Sequence, residues 1–577
     1  MVLLFAACNP ASTLSIAVGV DTDPQTLPRY TPRWAFEPWI SKDISTGPDT
    51  YAFVEGFQSR DIPVGVVVLD SPWETNYNTL VPNPTRYPEF PKLVSDLRSR
   101  GVRVVLWTTP MINVASFDAE VGGDRYLGAA ANYGIAKRNG YFVNGGALET
   151  WWKGQGAAID FFNPEAVKWW RSQQDPLLDV GISGWKLDFA ESYITTQPLQ
   201  TAAGAKPLQE YSEAYYRDFL THGLKRKGRD EFLTMVRPYD KSYVFEGRFF
   251  ARKENAPVGW VGDNRRDWVG LQDALDEIFI SARAGYVVLG SDIGGYLDID
   301  DVDMSIQVPF SLVNFTRWVA VGAMTPFMQL HGRGNLTPWS LGDPTVARYR
   351  YWAKLHHQLV PFMFSIAESA YAGGPVPIQP VGAQASWPGD YRYVLGDAFL
   401  VAPILDDSGV RDVALPASSR WIDWWSGVVH DGGSTLTAYD STALSRIPMF
   451  VKEGALIPLD VSDDSTALGS TSSAGRLTVL AYPSTVRTTF IVHDTDGLTT
   501  ELGAVRDGSS TTLTFSRSPG GVVARVWTES RVVTSVTGLT EQPTRAAFDA
   551  AASGWFKDGS YTWVRAAAGM TELRLSH

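Results

Sequence analysis

The sequence predicts an α/β chain, a (β/α)8 TIM barrel followed by two C-terminal β-sandwich domains. Two observations carry this reading. Between about Arg33 and Gly374, short continuous apolar runs ending in a polar or charged residue alternate with stretches of helical period, the rhythm of a parallel sheet covered on both faces. Beyond that point the helical period gives way to alternating runs separated by turn residues, as in antiparallel sheets. A chain of 577 residues exceeds a single ordinary core, and a barrel absorbs residues 31–374 as one unit.

The first barrel step is the run Val64–Asp70, the helical stretch Phe90–Arg100 and the run Val102–Trp107. Six further runs extend the scheme: Ala157–Phe162, Gly184–Asp188, Tyr243–Phe250, Val258–Asp263, Tyr286–Asp292 and Thr325–His331. They make eight candidate strands, the number a (β/α)8 barrel needs. Apolar spacing of three and four marks helices over Pro164–Gln174, Leu208–Leu224, Trp268–Ala284 and Thr345–Ala370. Helical character stops at Gly373-Gly374-Pro375, and residues 375–460 read as a first sandwich. Residues 461–577 read as a second, because Ser and Thr supply 34 of these 117 residues and alternating runs such as Thr511–Phe515 are bounded by Asp-Gly and Pro-Gly-Gly turns.

Composition narrows the function. The net charge is −12, and the basic patch Lys225-Arg226-Lys227 is short, which argues against a nucleic-acid partner. Residues 1–30 form a short leading segment. Its apolar run Val2–Cys8 is well below the roughly 20 residues of a membrane span. The run ends like a bacterial lipoprotein cleavage site, which would place the protein in the periplasm or outside the cell; the alternatives are a cytoplasmic chain and a buried strand. A single Cys excludes an internal disulfide, and with seven His in no ligand spacing, zinc and other metals are not expected. No phosphate loop or Gly-x-Ser-x-Gly elbow is present, and no cofactor is called for.

Chemistry in a barrel sits at the C-terminal ends of the strands. Asp70, Asp160, Asp188, Asp263 and Asp292 fall in or at the end of predicted strands. Paired carboxyls, one protonated and one ionised, are the machinery of glycoside hydrolysis. The 21 Trp, of which 18 lie at or before Trp425, offer flat surfaces for sugar rings. Taken alone, each segment has a plainer explanation: Asp188 and Glu191 also form a helix-capping pattern, and Asp263-Asn264 also forms an Asx turn.

Taken together and in order, the segments resemble glycoside hydrolase family 31, the retaining α-glycosidases. Gly184-Trp-Lys-Leu-Asp188-Phe-Ala-Glu191 resembles the family's nucleophile signature, and Trp260-Val-Gly-Asp263-Asn264 its acid/base signature. Asp70 with Trp73, Trp107 ahead of Pro110–Asn113, Ile159–Pro164, Phe250–Arg252, Gly290–Gly295, Gln329–Gly332, Gly396-Asp397 and Ile447–Gly454 follow in the family's order, over roughly residues 33–460. The resemblance implies Asp188 as nucleophile and Asp263 as acid/base. Asp70, Asp160, Lys186, Arg252 and His331 would hold the sugar hydroxyls, with Trp107 and Trp260 as pocket walls. It implies a terminal α-linked sugar released from an oligosaccharide or small α-glycoside, of α-glucosidase or α-xylosidase type. An α-galactosidase of the same family is one alternative, and a non-catalytic carbohydrate-binding scaffold is the other. The oligomeric state is open.

Three departures from the family pattern bear on this. The family carries a β-sandwich ahead of the barrel where only about 30 residues stand here, so a shortened or minimal member is expected. Ser291 and the Phe189-Ala-Glu191 sequence leave substrate choice open. Lys186 before the nucleophile is more typical of members acting on xylosides or galactosides.

Overall fold

The computed structural model describes residues 29–117, 126, 128–241, 247–297 and 308–577. The lipoprotein-like run Val2–Cys8, and the part of Tyr243–Phe250 up to residue 246, lie outside the described residues. Eight parallel strands close a barrel in chain order: β1 (Trp39–Lys42), β2 (Val66–Leu69), β3 (Arg103–Thr108), β4 (Gly184–Leu187), β5 (Leu233–Val236), β6 (Val258–Val261), β7 (Leu289–Ile293) and β8 (Gln329–Leu330). The ring closes where Trp39 and Ile40 pair with Gln329 and Leu330.

Six of these strands coincide with predicted runs and two do not. β1 reads Trp-Ile-Ser-Lys and β5 reads Leu-Thr-Met-Val, each too short and too interrupted by polar residues to stand out as an apolar run. Two predicted barrel strands lie elsewhere. Ala157–Phe162 begins in the strand Gly154–Ala158, which pairs antiparallel with Met111–Ser116 and Glu149–Trp151 in a small sheet set on the connection after β3. The end of Tyr243–Phe250 forms Arg248–Phe249, paired antiparallel with Tyr239–Asp240 just after β5. The described part of each run, residues 157–162 and 247–250, lies on a connection beyond a barrel strand, and apolarity alone does not distinguish such a run from the barrel wall.

Helices cover the outside at Gly47–Gln58, Phe90–Ser99, Pro164–Val180, Leu208–Lys227, Trp268–Arg283 and Leu312–Ala323, with Asp343–Gln358 and Val360–Tyr371 closing the domain. The predicted Thr345–Ala370 helix is therefore two helices, joined at Leu359 with Pro361 in the first turn of the second, where a missing N–H costs nothing. Pro164–Val180 starts where the Asn163 side chain accepts from the backbone N–H of Glu165 and Ala166, and ends at Gly181 with φ of 110°. Among the described residues no α-helix joins β5 to β6, and one turn of 3-10 helix at Lys253–Asn255 stands there instead.

After the barrel, a six-stranded sheet faces the pair Val410–Ala414 and Thr435–Asp440. Two five-stranded sheets then sandwich a core that includes Leu502, Leu513, Val526 and Trp555. Strand Leu456–Leu459 pairs with Leu477–Ala481 and so belongs to the second sandwich. No helix among the described residues is long and apolar enough to cross a membrane.

The tightest spot in the barrel wall is Gly290, where an added Cβ would lie 1.9 Å from the Phe327 carbonyl oxygen, whereas at Gly508 it would meet nothing within 4 Å. Gly290→Ala should lower the melting temperature by about 3 °C or more through overpacking. Gly508→Ala should leave it unchanged, and equal melting curves for the two variants would contradict this packing.

Candidate active site

The C-terminal ends of the strands converge on one cluster. Asp43 follows β1, Asp70 follows β2, Asp188 follows β4, Arg237 follows β5, Asp263 follows β6 by two residues, Asp292 lies within β7 and His331 follows β8. A narrow pocket opens among them, lined by Asp70, Lys186, Asp188 and Asp263 together with Trp107, Trp152, Phe189, Tyr296 and Arg333. A wider cleft of about 540 Å³ lies at the opposite, N-terminal end of the barrel, beside Val64, Gly65 and Arg103, away from this cluster.

Arg237 is 1% exposed and joins the two carboxyls singled out in the sequence. Its Nε donates to Asp188 Oδ1 at 3.1 Å, its Nη2 donates to Asp263 and its Nη1 to Asp240. The Phe189 and Trp260 rings lie 4.2 and 4.0 Å from its Cζ. A guanidinium held by several edges and covered by rings has little freedom left. Asp188 is anchored independently, accepting from Trp107 Nε1 at 3.0 Å on Oδ2 and from the Phe189 N–H at 3.0 Å on Oδ1.

Asp263 carries the informative titration. Burial pushes its carboxyl up, Arg237 opposes this, and the nearby charges of Asp188, Asp240 and Asp292 add to it, leaving the group at about 7. It therefore holds a proton across much of the range in which an ordinary aspartate is ionised. Its φ of 60° puts a non-glycine residue in the left-handed region, a conformation that concentrates at functional sites.

A second charged group backs the pocket. Lys186 Nζ lies 2.7 Å from Asp70 Oδ2, 3.3 Å from His331 Nδ1 and 4.6 Å from the centre of the Trp260 ring. His331 Nε2 lies 2.9 Å from Asp43 and its Nδ1 3.5 Å from Asp292. Burial and Lys186 would both lower the His331 pKa, but Asp292 and Asp43 outweigh them and hold it at about 10. Burial also pushes Asp43 and Asp292 up, yet His331 and Lys186 bring both below the ordinary carboxylate value. Asp70 goes the other way: burial raises it more than Lys186 lowers it. Ligand atoms of Asp43, Asp70 and His331 lie within 4.8 Å of one another, a spacing that suits a cation, but the Lys186 ammonium already stands beside Asp70.

Of the residues expected from sequence, the structure brings Asp70, Trp107, Lys186, Asp188 and Asp263 to the pocket lining. Trp260 and His331 lie buried just behind it. Two others lie elsewhere. Arg252 has a side chain 57% exposed, within 3.7 Å of Glu213 and 3.5 Å of Glu254. Asp160 accepts the backbone N–H of Phe162 at 2.9 Å and of Ala202 at 2.7 Å, holding two loop segments together. Both lie on the connections after β3 and β5, where the predicted strands are not barrel strands. Arg237, Asp240 and Asp43 were missed for the same reason: they follow β5 and β1, which the sequence does not announce.

The closed parallel barrel gathers buried, differently titrating carboxyls at the C-terminal ends of its strands, the end at which (β/α)8 enzymes place their sites. Residues 28–366 match the glycosyl hydrolases family 31 TIM-barrel domain, and residues 378–457 match the family 31 C-terminal domain, so the chain belongs to glycoside hydrolase family 31. It is similar to an alpha-xylosidase of Emericella nidulans, 25% identical over 461 residues covering 76% of this chain and 55% of the relative. It is also similar to alpha-glucosidase 2 of Bacillus thermoamyloliquefaciens, 26% identical over 81% of this chain and 58% of the relative. Among solved structures, the cycloalternan-forming enzyme of Listeria monocytogenes, in complex with a pentasaccharide substrate, superimposes with a TM-score of 0.78 at 20% identity, over 95% of this chain and 54% of that one. The chain thus spans a little over half the length of these relatives.

Arg237→Met would leave Asp188, Asp240 and Asp263 buried without their shared cation. Removing one partner of a buried pair costs about 3–5 kcal/mol. In the variant Asp263 loses the charge that opposes its upward shift, so it keeps its proton to higher pH than in the wild type and the extra cost of ionising it appears as pH rises above about 7. The melting deficit relative to wild type should be larger at about pH 8.5 than at about pH 6; a deficit independent of pH would contradict the charge assignment.

Proposed function

We propose that the protein is a retaining α-glycoside hydrolase that removes a terminal α-linked glucose or xylose. The observation that carries this is the shared guanidinium: Asp188 and Asp263 are both held by Arg237 at one pocket. One guanidinium bridging both carboxyls supports a close pair, as in retaining enzymes at about 5–5.5 Å, rather than the wider gap that admits a water between them. The family match and the α-xylosidase and α-glucosidase relatives support the same reading.

In the first step an Asp188 oxygen attacks the anomeric carbon while the bond to the leaving oxygen breaks, and Asp263 gives that oxygen its proton. The product is a β-linked glycosyl ester on Asp188 and a free alcohol. In the second step Asp263, now ionised, takes a proton from water as the water oxygen attacks the same carbon and Asp188 departs. Two inversions return the α configuration. Trp107 and Arg237 hold Asp188 as an acceptor, while burial and neighbouring carboxylates keep the proton on Asp263. Lys186 and Asp70, paired at the pocket wall, offer a donor and an acceptor to sugar hydroxyls.

A panel of aryl α-glucoside, α-xyloside and α-galactoside tests the reading. One of the first two should turn over fastest, and Asp188→Ala should lower kcat by at least about 10³-fold. Preference for the galactoside would shift the substrate class, binding without turnover of any would favour a scaffold, and activity surviving in Asp188→Ala would remove the nucleophile. The proton on Asp263 adds a pH test. Glycosylation needs Asp263 protonated, so kcat/KM for an alkyl glycoside should be flat below about 7 and fall tenfold per pH unit above it. A profile that rises through pH 7 would contradict the role.

A further inference from the structure

Behind the Arg237 fork lies a carboxyl that the chemistry above does not use. Glu277 sits on the helix Trp268–Arg283 and is 1% exposed. Its Oε1 accepts the backbone N–H of Lys241 at 3.2 Å, and its Oε2 accepts from Asn264 Nδ2 at 3.2 Å. One helical turn further, Ser281 Oγ accepts the backbone N–H of Tyr239 at 3.1 Å and donates to the Glu277 carbonyl at 2.7 Å. The helix therefore presents two side chains at the i, i+4 spacing of one face. They grip the turn Tyr239–Lys241, which carries Asp240, on both sides of that residue.

Asn264 is the neighbour of Asp263, and Asp263 is the residue at φ of 60°. Such a backbone persists only where its surroundings over-determine it. The supports here are the Leu297 N–H, which donates to the Asn264 carbonyl at 3.1 Å, and the Asn264 side chain on Glu277. Asp188 does not share this dependence, because Trp107 Nε1 on Oδ2 and the Phe189 N–H on Oδ1 hold it through bonds that do not involve Glu277.

We propose that Glu277 is a positioning residue for the proton donor: one buried carboxyl ties the loop of Asp263 to the turn of Asp240 and thereby sets the two outer arms of the Arg237 fork. The inference rests on the reading of Asp263 as acid/base. The groups facing Glu277 are Asp240, Lys241 and Asn264; burial and the Asp240 charge push its carboxyl well above the ordinary value, against the opposing bonds from Asn264 and Lys241. That direction favours the uncharged carboxyl, and Glu277→Gln mimics it. The Gln carbonyl keeps the Lys241 N–H, and the Gln amide can donate to Asn264 Oδ1, which has no hydrogen-bond partner among the described residues, once the Asn264 amide turns over.

The test separates protonation from general damage. Two substrates of the sugar that the aryl panel selects are compared by kcat/KM: the α-glycosyl fluoride, whose leaving group departs with little help from an acid, and the methyl α-glycoside, which needs one. Asp263→Asn is the benchmark and should lose the methyl glycoside far more than the fluoride. Glu277→Ala should show the same split, losing about 100-fold on the methyl glycoside, the scale of a 1 Å misplacement, and less than about threefold on the fluoride. Asn264→Ala, which removes the same link without emptying the space on the helix, should follow it and decides the case if Glu277→Ala melts below the assay temperature. Glu277→Gln should stay within about threefold of wild type on both substrates. Equal losses on the two substrates in Glu277→Ala and Asn264→Ala, or no loss in either, would overturn the proposal. A benchmark without a split would instead overturn the acid/base reading beneath it.

Discussion

One guanidinium carries the geometry of the barrel mouth. Asp188, Asp240 and Asp263 are buried carboxyls from three different strand ends, and three like charges brought that close repel one another strongly in a medium poorer than water. Arg237 makes the arrangement tenable because a planar fork offers separate donors to each carboxyl. The rings of Phe189 and Trp260 beside it keep water from competing for those donors. Burial comes first in keeping a proton on Asp263, and the negative charge that three carboxyls around one cation leave in excess adds to it.

The same logic recurs in a second buried cluster beside Trp260. Asp43, Asp70 and Asp292 are balanced by Lys186 and His331, two cations 3.3 Å apart that only surrounding carboxylates make tolerable. Trp260 touches both Lys186 and Arg237 and donates to Asp292 at 3.2 Å. It therefore links two charged clusters, which explains its burial better than a wall role alone. The tryptophan surplus divides similarly. Trp39, Trp73, Trp170, Trp185, Trp318 and Trp352 are core residues, whereas Trp107 and Trp152 reach the pocket.

The two principal carboxyls were legible through the ordered resemblance of their segments to the family's signatures, and the fold class through a recurring pattern, the apolar-rich run that closes on an Asp. Gly184–Asp188, Val258–Asp263 and Tyr286–Asp292 all show it, and all end at the site. β1 and β5 lack the run, so Asp43 and Arg237 carried no local mark. Arg252 drew attention through its motif, yet its side chain is turned to solvent and to Glu213 and Glu254. Glu277 was invisible for a different reason. Its position in a helix of ordinary amphipathic spacing says which face is buried, while its partners at Lys241 and Asn264 are set by how two loops fold over that face.

The central claim is that Asp188, held between Trp107 and Arg237, forms a covalent bond to the sugar. A 5-fluoro-α-glycosyl fluoride of the preferred sugar forms such an ester quickly and releases it slowly, so the adduct can be digested and located by mass spectrometry. One added glycosyl mass per chain is expected, on the peptide that contains Asp188, with loss of activity in step. Inactivation with the label on another carboxyl, or turnover without any adduct and with the β-anomer as first product, would contradict it.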